Sequence, residues 1–124
     1  MLKRFLVPEE DRVFVREESV RNATQTIFLE MGQSERDAEQ STDVLIESDL
    51  RGCESHGVSN MLRLYVDQYG RGELNPTPNV STLRESAVSA TWNADQALGI
   101  QVGPRAMELA IEKASETGIG AVAI

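Results

Sequence analysis

The chain has 124 residues, 40% of them hydrophobic and 26% charged, a composition that suits a soluble globular protein with a single core. Its formal net charge of −8 argues against a nucleic-acid role, because binding phosphates needs a basic face. One cysteine cannot close an internal disulfide, which fits a reducing compartment, and no segment approaches the roughly 18–20 apolar residues of a membrane span.

The first residues, Met1–Val7, open like a signal peptide, but Pro8-Glu-Glu-Asp-Arg12 cuts the apolar run too soon, so a cytoplasmic location is expected. Phe5-Leu-Val7 and Val13-Phe-Val15 alternate with charge, and the second group predicts a short strand. From Glu17 a helix is predicted, with Glu17 and Glu18 at the positive end of its dipole. Val20, Ala23, Ile27, Phe28 and Met31 form its inward stripe, and Gly32 ends it. Ser34 is the predicted N-cap of a second helix that runs to about Leu50, with Ala38 and Leu45 inward. A third follows the Cys-Glu-Ser-His-Gly loop, with Val58, Met61, Leu62, Tyr65, Val66 and Tyr69 on one face, and Gly70 and Gly72 close it.

Leu74-Asn-Pro-Thr-Pro78 is an extended connector, since each proline disfavours helix in its predecessor. It divides the chain into regions 1–74 and 75–124. Two strands are predicted near residues 80–85 and 87–92, then a turn at Asn93-Ala-Asp-Gln96. A fourth helix is expected to become regular near Gly103, because Pro104 suits only a first turn. It is apolar over most of its circumference and so expected to be largely buried. Gly118 caps it before a β-like run over residues 119–124. Gly118-Ile-Gly-Ala-Val-Ala123 matches G-x-G-x-x-A as a string. That fingerprint binds phosphate only between a strand and a following helix, and here the order is reversed. The fold class expected is α/β (α+β), a helical region followed by short strands and a buried helix.

The chemistry concentrates in Asp49-Leu-Arg-Gly-Cys-Glu-Ser-His-Gly57 and the helix after it, which hold the only histidine, His56, and the only cysteine, Cys53. An imidazole titrates near neutrality and can exchange a proton with a substrate oxygen. Spacing alone favours a histidine that merely bonds nearby backbone. One cysteine and one histidine cannot supply the roughly four ligands of a structural zinc site, so no metal is expected.

Asp49-Leu-Arg-Gly52, Ser-His-Gly-Val58, a tyrosine-bearing helix and Gly-Glu-Leu-Asn-Pro76 occur in order, followed by Ala94-Asp95, Gly99, Ala-Met-Glu108 and Gly-Ile-Gly120. This ordered set resembles the malate/L-lactate dehydrogenase family, the non-Rossmann NAD(P)-dependent 2-hydroxy-acid oxidoreductases that include ureidoglycolate and sulfolactate dehydrogenases. The resemblance implies that His56 lies by the reacting oxygen as the catalytic acid/base, with hydride moving to or from NAD or NADP. It implies a 2-hydroxy/2-oxo acid substrate and a homodimer. Ser55, Asn60, Arg63 and Arg51 are the expected substrate-binding residues. Several members carry an arginine four residues after the histidine; Asn60 stands there, and Arg63 is expected to take over the carboxylate. Members are much longer, so the chain reads as an N-terminal part whose region 75–124 begins the nucleotide-binding domain, expected to be inactive alone. The alternative is a non-catalytic remnant serving as a folding or dimerisation module.

Overall fold

A computed structural model describes residues 8–124. Phe5–Val7 and the signal-like start lie outside the described residues. Four α-helices and a three-stranded sheet follow in the α/β order expected, and the chain divides after Gly72 into two compact units. No helix among the described residues is long and apolar enough to cross a membrane.

The first unit rests on three helices. The predicted strand at Val13-Phe-Val15 does not form: among the described residues no strand pairs with it, and Phe14 is 92% exposed. β-propensity expresses packing against cross-strand neighbours, which this segment lacks. Helix α1 (Glu17–Glu30) starts on its two glutamates and buries Thr24 and Phe28. Ala23, expected inward, is exposed, because the stripe is centred one residue further on. Helix α2 (Glu35–Leu50) is capped as predicted, Ser34 Oγ accepting the Asp37 N–H at 3.2 Å.

Ala38, Ser41, Thr42, Leu45 and Ile46 of α2 are buried. Arg21 of α1 donates to Glu17 at 2.9 Å and pairs with Asp43 of α2, tying the two helices at their rim. Helix α3 (Val58–Gly70) buries only Leu62 fully; Met61, Tyr65, Val66 and Tyr69 of its stripe are half-buried. Gln33 links all this inside. Its amide accepts from Ser41 Oγ at 3.1 Å and donates to the Tyr69 hydroxyl at 2.7 Å, which satisfies a buried polar group.

In the second unit, strands β1 (Ser81–Glu85) and β2 (Ser89–Asn93) pair antiparallel, with a register irregularity between Thr82 and Arg84. Helix α4 (Gly99–Thr117) crosses over to β3 (Ala121–Ala123), which lies parallel to β2. Gly118, at φ 87°, caps α4 in the left-handed region. Gly120 allows a close approach to α4, since a methyl there would overlap the Ala110 carbonyl. Lys113 Nζ donates to Glu85 at 2.7 Å and to the Ser86 carbonyl at 2.9 Å, fastening α4 to the hairpin.

Two expectations for α4 fail. The helix begins at Gly99 and carries Pro104 inside it. Its first turn is closed by the Gln101 N–H on the Leu98 carbonyl at 2.8 Å, ahead of Pro104, so the proline lies inside the helix and removes one backbone donor there. Nor is the helix largely buried: Met107 and Ile111 are both 61% exposed, and Val102 and Ala106 supply its buried apolar side chains. Three short strands can cover one face of a helix and no more.

Candidate active site

The candidate site is the junction between α2 and α3. Helix α2 ends in a Schellman arrangement: the Gly52 N–H bonds the Asp49 carbonyl at 2.9 Å and the Cys53 N–H bonds the Ser48 carbonyl at 2.8 Å. The reversal requires φ 73° at residue 52, which glycine adopts without a Cβ penalty. The chain then makes one 3₁₀ turn, Glu54–His56, closed by the His56 N–H on the Cys53 carbonyl at 2.8 Å.

Helix α3 starts with an N-cap, Gly57, that has no side chain to cap with. Asp49 does it instead. Its Oδ2 accepts the Val58 N–H at 2.9 Å, from the last turn of the preceding helix. Gly57 is buried, and a methyl on it would overlap the Asp49 carboxylate. The Glu54 carbonyl accepts Asn60 Nδ2 at 2.7 Å, so α3 also grips the start of the turn.

His56 is exposed at the end of that turn, its Nδ1 2.9 Å from Ser55 Oγ. When Nδ1 carries the ring proton it donates to Ser55 Oγ and leaves Nε2 an acceptor; when the serine donates, the neutral ring's proton resides on Nε2. Ser55 and His56 are thus hydrogen-bonded to each other. Arg51 is placed differently: it is 77% exposed, and its Nε bonds Glu47 one turn back at 2.9 Å. Arg63 is exposed on α3, one turn beyond Asn60, and makes no ion pair among the described residues. Tyr65 is half-buried on the inward side of α3, and burial pushes its phenol above the ordinary value. A cleft of about 490 Å³ runs beside the junction, touching Asp49, Glu54 and Val58 as well as Val13–Val15; His56 is not part of its lining.

The family described as malate/L-lactate dehydrogenase matches residues 15–124. The chain belongs to the malate/L-lactate dehydrogenase family. A malate dehydrogenase of Pyrococcus abyssi is 45% identical over 98 residues, 79% of this chain and 27% of its own length. The L-sulfolactate dehydrogenase of Methanocaldococcus jannaschii is 38% identical over 97 residues, 78% of this chain and 28% of its own. Among solved structures, malate dehydrogenase from Pyrococcus horikoshii superposes with a TM-score of 0.86 at 38% identity, over 94% of this chain and 33% of that one. The chain therefore spans about a third or less of the length of these family members.

Asp49 is the residue that sequence reasoning passed over. It opens the Asp-Leu-Arg-Gly motif, yet its partner lies nine residues on, beyond a helix end and a separate turn. Periodicity carries no signal at that separation.

Proposed function

We propose that the chain supplies the proton-transfer side of an NAD(P)-dependent dehydrogenase acting on a 2-hydroxy/2-oxo acid. The observation that carries this is the Ser55–His56 pair, exposed on a pinned turn in a chain of this family. In the reducing direction, the protonated ring of His56 gives its Nε2 proton to the carbonyl oxygen and becomes neutral imidazole, while that carbonyl carbon becomes a secondary alcohol carbon. In the oxidising direction the neutral ring takes the hydroxyl proton. Ser55 Oγ, accepting from Nδ1–H, holds the ring in the tautomer whose Nε2 is free to exchange the proton with substrate.

A nicotinamide cofactor, when bound, donates or accepts the hydride that this exchange requires. Gly118–Ala123 does not fit such a cofactor: Gly118 caps α4, and Gly120 is pressed against the Ala110 carbonyl instead of facing an open cradle. No residue here is assigned to it. Region 75–124 is read as the opening of the nucleotide-binding part by its β2–α4–β3 crossover.

The substrate carboxylate falls to Arg63 ahead of Arg51, since Arg51 already has Glu47 as a partner. Asn60 contributes from the same helix, with its Nδ2 engaged on the turn. A 2-hydroxy acid suits the relatives named for malate and sulfolactate. The whole enzyme is read as a cytoplasmic homodimer.

The test is a chimera in which this chain replaces the matching third of the P. horikoshii malate dehydrogenase, assayed with NADH and NADPH against a panel of 2-oxo acids. Turnover that disappears in His56→Ala supports the reading. Full turnover in His56→Ala sinks it and favours a non-catalytic folding or dimerisation module. The 124-residue chain alone is expected to give no hydride transfer.

A further inference from the structure

His56 rides on a turn of only three residues, too short to hold its own geometry. Both flanks have to supply it. On the near side the Schellman end of α2 fixes where the turn begins. On the far side the start of α3 depends on a group borrowed from α2, because Gly57 brings no acceptor of its own.

An N-cap normally satisfies the first amides with its own serine, threonine, asparagine or aspartate oxygen. Here the Asp49 carboxylate reaches across the junction to Val58 at 2.9 Å. It can do so only because residue 57 is glycine: carboxylate and Cβ would occupy the same space. The charge suits the location, since a helix N-terminus carries partial positive charge and an ionised acceptor strengthens the bond. Asn60 makes the second tie, holding the Glu54 carbonyl at 2.7 Å. The histidine's own backbone is therefore set by Asp49 behind it and Asn60 ahead of it.

We propose that Asp49 is a positioning residue for His56: its carboxylate, filling the space a Cβ on Gly57 would take and capping α3 at Val58, fixes the turn that carries the imidazole. The proposal rests on the reading of His56 as the proton-transfer group. Proton transfer needs donor and acceptor atoms held about 2.6–3.2 Å apart, so a turn released at one end lowers kcat with little change in KM.

His56 is the only histidine. In the chain free of a histidine tag, its ring resonances report on one residue. Asp49→Ala and Gly57→Ala are each expected to shift or broaden the ring signal and to speed Val58 amide exchange roughly tenfold. Asp49→Asn keeps an acceptor oxygen and is expected to return the ring signal to its native position. Ring signals in Asp49→Ala that superpose on the native ones, with Val58 exchange accelerated, would overturn the proposal: the carboxylate would then be a cap and nothing more. If Asp49→Ala fails to fold, Gly57→Ala is judged by the same criterion.

In the chimera, Asp49→Ala is expected to lower kcat roughly tenfold with KM nearly constant, and Asp49→Asn to recover most of it. A chimera that keeps its turnover in His56→Ala would sink the catalytic reading while leaving the resonance result intact, so the two failures are separable.

Discussion

At the scale of single residues, the site depends on which side chains are already spoken for. His56 is exposed and bonded to the half-buried Ser55, so the chemistry of its ring is directed outward. Replacing His56 by alanine in the chimera is expected to lower kcat/KM by at least about 100-fold, the usual worth of a positioned acid/base, as read from nicotinamide absorbance. The two arginines should separate. Arg51→Ala is expected to change stability by less than about 0.5 kcal/mol, because its pair with Glu47 is exposed on both sides, and to leave KM nearly unchanged. Arg63→Ala is expected to raise KM roughly tenfold or more, through loss of a charged hydrogen bond to the substrate carboxylate. An unchanged KM in Arg63→Ala would show that this arginine does not meet the carboxylate.

At the scale of elements, the ends matter more than the middles. Helix α2 is capped by Ser34 from its own N-cap position, whereas α3 is capped by Asp49 from another helix. Ser34→Ala is expected to cost about 1 kcal/mol in urea denaturation, a loss confined to local capping. Gly120→Val should cost distinctly more, because the strand would have to move away from the α4 backbone. The first cap was legible, since Ser34 directly precedes the acidic first turn of a periodic helix. The second was not, since nothing in a string ties residue 49 to residue 58. The strand predicted at Val13–Val15 fails for the same kind of reason: propensity names a candidate, and only a neighbour makes it a strand.

At the scale of the whole molecule, the half-buried phenols of α3 link stability to alkaline pH. Burial raises Tyr65; for Tyr69 burial raises it most, the Gln33 amide on its hydroxyl lowers it, and the charge of Asp37 raises it. Each phenol holds its proton more tightly folded than unfolded. The contribution is fully present below the unfolded value of about 10 and is lost as pH rises through the folded one. Unfolding free energy measured by denaturant is thus expected to fall above about pH 10, and Tyr65→Phe to flatten that fall. An unchanged pH profile in Tyr65→Phe would show that its phenol does not carry the linkage.

The sequence by itself determined the helices with one-sided stripes, the glycine ends at Gly32, Gly72 and Gly118, the Ser34 cap and the family. These rest on interactions within about four residues, or on an ordered string of motifs, and both are written along the chain. Only the tertiary structure decided that Val13–Val15 has no strand partner among the described residues, that α4 starts ahead of Pro104 and shows Met107 and Ile111 to solvent, and that Asp49 lies against Gly57 and caps α3 at Val58. Each of these turns on what the fold brings alongside, and the physical cause is the same. Burial, pairing and capping at a distance are properties of neighbours in space, which a linear reading does not contain.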